Sequence, residues 1–397
     1  MKKFVSAFLI AVLVTFSVSN QTAYGSESPA VDAHGAILMD FETGRVLWEK
    51  DAYSPYAMAS TTKIMTALLT LELGNLNDEV TVSQKAALTP PVKMFLQKDE
   101  VIKLEYLLYA LMMQSSNDAA VAIAEHIGGT VEEFCRLMTE RAAELGCKDT
   151  VFETPNGLDA GDHHSTAYDM ALISRAALSN PDFIRITNTA NVTFQSSRAT
   201  YSVINKNRLL NEFEGANGIK TGYTGKAGHC FVGAAKRNDM QLISVVLASG
   251  WGNKGKEQKW VDTKEILRYG FGTYDYENII NAHDFVEPIK IERSRTPEIE
   301  TYYNEGLVLP MSDEEKTNLR VEVDLPKILK APIEKDEKLG VAKVFIGSDL
   351  MSEIDILAES GAARHDFKTS LEKVLVEFIQ VGTTEKVEVI LPEAIFE

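Results

Sequence analysis

Gly218-Ile219-Lys220-Thr221-Gly222-Tyr223-Thr224 reads as a β-strand, and two more strand-like runs follow it closely, Gly228 to Lys236 and Gln241 to Ser249. All three are short, apolar or β-branched, and separated by turn residues. Far upstream, Ala36-Ile37-Leu38-Met39-Asp40 and Arg45-Val46-Leu47-Trp48 flank Thr43-Gly44, a hairpin signal. The segment between these two groups is largely helical. A helix is expected from about Ser60 to Leu73, where Ile64, Leu68 and Leu69 recur at helical spacing, and others at about 103–113, 118–127, 130–145 and 166–179. A final amphipathic helix is expected at about 256–269. Strands, a block of helices, strands and a helix describe an α/β (α+β) unit. Its sheet joins strands far apart in the chain, with helices packed on it.

Length and charge narrow the rest. The 397 residues exceed one typical domain. The 57 acidic residues outnumber 40 basic ones, for a net charge of −17, which argues against a nucleic-acid partner. Three cysteines, Cys135, Cys147 and Cys230, are too few for a disulfide-framed fold. Cys135 and Cys147 are either a pair or buried free thiols. Lys2-Lys3, the apolar run Phe4 to Val18 and Ala23-Tyr24-Gly25 read as a secretory signal peptide of residues 1–25, cut after Gly25. The mature chain is then expected outside the cytoplasmic membrane.

The composition changes after about Tyr276. Short strand-like runs at 288–292, 319–323, 340–345 and 354–357, separated by charged and Pro-containing turns, read as a small all-β domain. The expected division is 26–277 for the first unit, 278–365 for the β-rich domain and 366–397 for a helix and acidic tail. In 366–379, Phe367, Leu371, Val374, Leu375 and Phe378 share one helical face, suited to a membrane surface or to packing on protein.

Three short motifs carry chemistry. In Ser60-Thr61-Thr62-Lys63 the Ser and Lys lie one helical turn apart on one face, so the amine can accept the hydroxyl proton. A Ser at a helix start also gains from free backbone N–H groups and the dipole, which stabilise developing negative charge. Alone the pattern is weak, since Ser370-Leu371-Glu372-Lys373 matches it as well. Ser115-Ser116-Asn117 sits between two helices and reads either as a helix cap or as a hydroxyl and an amide aimed into a cleft. Lys220-Thr221-Gly222 lies within the strand quoted above. Gly222 there suggests close approach by another chain or a ligand, and Lys220 and Thr221 suit a carboxylate.

Together and in this order, the motifs match the set found in serine β-lactamases and penicillin-binding proteins. Over about residues 30–275 the chain resembles the serine-type D-alanyl-D-alanine carboxypeptidases, the low-molecular-mass penicillin-binding proteins. Pro155-Asn156-Gly157-Leu158, Tyr168-Asp169-Met170-Ala171 and the wording around Lys220 support the resemblance. It implies an antiparallel sheet with helices and a small β-rich C-terminal domain. It also implies acyl transfer: Ser60 attacks the carbonyl between two terminal D-alanines, Lys63 serves as base, and Ser115 relays a proton to the leaving amine. Asn117 would hold the substrate amide and Lys63. Lys220 and Thr221 would bind the terminal carboxylate beside Gly222. The backbone N–H groups of Ser60 and Tyr223 would form the oxyanion hole. The implied partners are a peptidoglycan stem peptide and, as covalent inhibitors, β-lactams, with no cofactor. The C-terminal helix is a membrane anchor in many relatives; here it is not basic and an acidic tail follows.

Other residues are weaker candidates. Lys256 is a further cation for the substrate carboxylate, or a solvated lysine at a helix start. His163-His164 beside Asp162 has no spaced third ligand and reads as a solvated loop rather than a metal site; His229 reads as structural. Two rival functions remain. A class A β-lactamase would need a Glu-x-x-Leu-Asn loop, whereas Glu153-Thr154-Pro155-Asn156-Gly157-Leu158 stands in the comparable region. A non-catalytic wall-binding protein would not need all three motifs intact.

Overall fold

The computed structural model describes residues 28–365, together with Lys368, Ser370, Leu371 and 374–376. The expected signal peptide and acidic tail lie outside the described residues, as does much of the expected helix at 366–379, whose six described residues are helical.

Five antiparallel strands form the central sheet: β1 (Gly35–Asp40), β2 (Val46–Lys50), β3 (Ala216–Thr224), β4 (Gly228–Arg237) and β5 (Met240–Leu247), in the order β2-β1-β5-β4-β3. The early hairpin therefore docks against the last strand, with Gly35 opposite Leu247 and Asp40 opposite Leu242. Every residue of β5 is buried, as expected of a strand covered on both faces. Alternation divides its side chains between two cores. Ile243, Val245 and Leu247 join the larger, helical core, whereas Leu242 and Val246 face Trp260, Ile266 and Leu267 of the last helix.

The helical side is built from α1 (Lys63–Leu73), α2 (Asn117–Gly128), α3 (Val131–Glu144) and α4 (Ala167–Leu178); α5 (Gly252–Thr273) covers the opposite face, joined there by Leu209 and Phe213. That helix is longer than the 256–269 expected. Gly270 lets it lie close on the sheet: a Cβ there would come within 2.7 Å of Leu38 and Leu242 side chains. The helix expected at 103–113 is regular only over Leu104–Tyr109, then widens into a π-turn over Ala110–Gln114. Turns of this kind gather at functional sites. Three elements gave no strong periodic signal: the hairpin Asn191–Gln195/Thr200–Ile204, the helix Pro181–Asn188, and the short ladder Glu79–Thr81/Val101–Lys103.

After α5 the chain enters a β-rich region. Strand Asp275–Ile280 pairs with Leu307–Met311. A four-stranded sheet and a three-stranded sheet follow, with their own small cores around Ile354, Ile356 and Val344 and around Ile289, Ile299 and Ile333. Arg45 of the β1–β2 hairpin reaches across to Glu315 and the Pro310 carbonyl. Tyr276 donates to Asp40 Oδ1 at 2.7 Å. Replacing Leu38, fully buried between sheet and α5, by Ala is expected to destabilise the sheet-and-helix unit by about 2–5 kcal/mol. A lower denaturation midpoint by circular dichroism checks it.

Candidate functional site

The three motifs converge at one end of the sheet. Ser60 lies in a 3₁₀ turn, Ala59–Thr62, that leads into α1. Lys63 is the first residue of α1 and is fully buried. Its Nζ donates to Ser60 Oγ at 2.9 Å, to Asn117 Oδ1 at 2.8 Å, and to the Asn156 carbonyl. Burial first, and repulsion from Lys220 second, hold the Lys63 amine well below the ordinary lysine range, while Asp118 opposes the shift. An amine so placed can take a proton from Ser60 at a lower pH than an ordinary lysine.

The second motif is shaped by the π-turn. Ser115 ends it with φ of 69°, a left-handed conformation uncommon for a residue with a Cβ. The turn brings Ser115 to the cleft while Asn117 opens α2. Asn117 accepts from Lys63 and donates through Nδ2 to the Pro90 carbonyl at 3.1 Å; its backbone N–H reaches the Val92 carbonyl at 2.7 Å. The neighbouring Asp118 carboxylate accepts from the Met94 and Leu96 N–H groups, both at 3.1 Å. The loop 90–96 is thereby fastened over the motif.

The third motif lies on the edge strand β3. Gly222 allows β3 to press against the Ser60 turn: a Cβ there would sit 3.0 Å from Ser60 N and 3.1 Å from Ala59 Cβ and the Met58 carbonyl. A Cβ at these distances would push the Ser60 turn back by a few tenths of an ångström. Lys220 is 2% exposed and donates to the Thr221 carbonyl at 3.0 Å. Burial, with repulsion from Lys206, brings its pKa down to about 7. The Ala59 φ of 48° places a second strained residue directly before Ser60.

Ser60, Ser115, Thr221, Gly222 and Tyr223 line one cleft of about 380 Å³. Lys206, Arg208, His229, Lys256, Lys259 and Trp260 line it too. Lys256 is exposed at the cleft, not turned away into solvent. His229 holds the cleft wall in place: its ring lies tilted against Tyr223 with centroids 4.3 Å apart, and it donates to the Gly252 carbonyl at 3.0 Å.

The segment around Asn156 supplies contacts that the sequence reading left without a role. The Asn156 carbonyl accepts from Lys63 and lies 3.4 Å from Ser60 Oγ; the Pro155 carbonyl accepts from Thr66 Oγ1 at 2.6 Å. Gly157 has φ of 81°, and a Cβ would fall 1.9 Å from the Ala59 carbonyl oxygen, so no other residue fits without moving the Ser60 turn. His163 is not in a solvated loop. It is 3% exposed, its Nδ1 accepts from Glu153 N–H at 3.1 Å, and its Nε2–H therefore donates to Thr62 Oγ1 at 2.8 Å. Burial lowers its pKa to about 4, so it stays neutral and braces the turn beside Lys63. Among the described residues no group of three His, Cys, Asp or Glu could hold a metal. All three cysteines are free, so Cys135 and Cys147 do not pair.

The family described as D-alanyl-D-alanine carboxypeptidase matches residues 22–250, and the C-terminal domain of penicillin-binding protein 5 matches 274–363. The chain is 30% identical to D-alanyl-D-alanine carboxypeptidase DacF of Bacillus subtilis (strain 168) over 94% of its own length and 98% of that protein. It is 36% identical to DacC of Escherichia coli (strain K12) over 68% of each. The crystal structure of penicillin binding protein 5 from Haemophilus influenzae superposes with a TM-score of 0.73 at 26% identity, covering 86% of this chain and all of that one. By sequence and by fold, the chain belongs to the D-alanyl-D-alanine carboxypeptidase family.

Proposed function

We propose that this protein removes the terminal D-alanine from peptidoglycan stem peptides through an acyl-enzyme on Ser60. The observation that carries the reading is the buried Lys63 amine, 2.9 Å from Ser60 Oγ inside a cleft that the other two motifs enclose. Ser60 Oγ attacks the carbonyl of the penultimate D-alanine while its proton passes to Lys63. The Ser60 and Tyr223 N–H groups receive the oxyanion. Ser115 passes the proton to the departing amine, the C–N bond breaks, and D-alanine leaves. Water then adds to the ester, the acid product departs and Ser60 regains its proton. Lys220 and Thr221, with Lys256 at the cleft wall, hold the terminal carboxylate and fix the reacting geometry. Asn117 orients Lys63.

β-Lactams share the acyl chemistry and would trap Ser60 as a slow ester. A β-lactamase reading is weaker, because the one glutamate in the comparable loop, Glu153, accepts from the Asp162 N–H at 2.9 Å and is absent from the cleft wall. The proposal includes export, with residues 1–25 removed, 26–277 as the catalytic unit, 278–365 as a β-rich domain and 366–397 as a tail that makes peripheral membrane contact through 366–379. No helix among the described residues is long and apolar enough to cross a membrane.

Incubation with a peptide ending in D-Ala-D-Ala and with fluorescent penicillin tests the reading. Wild type is expected to release D-alanine and carry the label, and Ser60→Ala to do neither; D-alanine release by Ser60→Ala at the wild-type rate would sink it. Gly222→Ala is expected to slow acylation by on the order of tenfold or more, by displacing the Ser60 N–H from the oxyanion position, as read by labelling rate.

The base must be neutral to act, so acylation should rise with pH and level off well below the ordinary lysine pKa of 10.5. Lys220→Gln removes one cause of that depression. The rising limb of the acylation profile is therefore expected to move to higher pH; an unmoved limb would exclude the coupling.

A further inference from the structure

Beyond Tyr223 the structure presents a group of opposite charge to the lysines of the cleft. In the carboxypeptidase reading, the substrate's terminal carboxylate lies at Lys220 and Thr221, and its reacting carbonyl at the Ser60 and Tyr223 N–H groups. Those two points fix a direction: the peptide runs antiparallel to β3, the edge strand of the sheet. With the acyl residue opposite Tyr223, the residue upstream of it stands opposite Thr224, the last residue of β3. Directly opposed residues of such a pair project to one face, with Cβ atoms about 4.5–5.5 Å apart. Thr224 Oγ1 accepts from the Ala227 N–H at 3.0 Å and donates its one proton to Asp159 Oδ1 at 2.9 Å. The Asp159 carboxylate is therefore held on the face that the upstream side chain enters. Its loop is fastened: the Leu158 N–H donates to Asn156 Oδ1 at 3.0 Å, and the His163 N–H to the Ala160 carbonyl at 2.9 Å. The other acidic residues of that loop are engaged. Glu153 accepts from the Asp162 N–H, and Asp162 lies 3.3 Å from His164 Nδ1. Asp159 is exposed and its partner Thr224 is neutral; among the described residues no cation pairs with it, the exposed Lys226 included.

We propose that Asp159, positioned by Thr224, is a specificity residue that takes a free side-chain ammonium on the substrate residue immediately upstream of the acyl D-alanine. This rests on the carboxypeptidase reading, which supplies the direction and register of the peptide. A carboxylate with one oxygen on a hydroxyl has its second oxygen left for a charge-assisted bond from an ammonium. An amine at the end of a long side chain opposite Thr224 reaches it; an acylated amine brings no charge and is not selected. Two residue types present the same ammonium: a lysine and a diamino dicarboxylic acid. A stem peptide whose amine is already joined to another chain has lost the group, so the subsite favours stems that are not yet cross-linked through that amine.

The test compares kcat/KM for D-alanine release from four peptides ending in D-Ala-D-Ala. They differ only in the residue before that pair: lysine, Nε-acetyl-lysine, and a diamino dicarboxylic acid with its distal amine free or acetylated. With the wild-type protein, acetylation is expected to lower kcat/KM by on the order of fivefold, as for an exposed ion pair. The loss should shrink as ionic strength rises, and the residue type showing the larger loss identifies the source. Asp159→Asn keeps an acceptor for Thr224 but removes the charge, so the ratio of free to acetylated peptide should fall to within about 1.5-fold. Asp159→Glu should retain the preference. The proposal is overturned if acetylation changes wild-type kcat/KM by less than about 1.5-fold for both residue types, or if Asp159→Asn keeps the full ratio. Failure of all four peptides to yield D-alanine would overturn the carboxypeptidase reading and the subsite with it. Release from all four without preference leaves that reading standing and removes the subsite alone.

Discussion

The Lys63 ammonium is the point on which this molecule is assembled. It is fully buried, and its hydrogen bonds run to three segments distant in sequence: the Ser60 turn, Asn117 at the head of α2, and the Asn156 carbonyl. An amine taken out of water must find partners or lose its proton. Here both responses operate at once. Its acceptors are neutral and converge at hydrogen-bond distance, while burial and Lys220 weaken its hold on the proton. The requirement that orders these segments therefore also lowers the proton affinity of the amine.

The fold explains how such an arrangement is maintained. Helices cover β4 and β5 on both faces, and β3 is left as an edge strand next to the Ser60 turn. Two glycines, Gly157 and Gly222, let backbone approach Ala59 and Ser60 from either side. Asp118 and His163, neither in the cleft wall, hold the loop 90–96 and the Thr62 hydroxyl. The reactive hydroxyl is thus held by structure built from four separate parts of the chain.

Electrostatics divide by location. The chain as a whole is acidic, with a sequence pI near 5.0, while the cleft gathers Lys63, Lys206, Lys220, Lys256 and Lys259. Overall attraction cannot draw an anionic peptide to such a surface; the field that captures it must be local. The β-rich region joins the catalytic unit through Arg45, Glu315, Tyr276 and Asp40, at the β1–β2 hairpin.

Much of this was legible in the residues. Strand and helix periodicity disclosed the α/β (α+β) layout, because burial of one face imposes a repeat of 2.0 or 3.6 on the apolar positions. The motifs disclosed Ser60, Lys63, Ser115, Asn117 and the Lys220–Tyr223 strand, because their chemistry needs particular side chains at short spacing. Short spacing is what a sequence displays directly. It could not display which distant residues complete the site. Asn156 acts through a carbonyl, which any residue carries. His163 is a buried brace and not a solvated loop residue, because Glu153 and Thr62 close on both ring nitrogens. Local pattern determined which elements form and which groups can react. Tertiary packing decided which groups are desolvated together, and desolvation set their proton affinities.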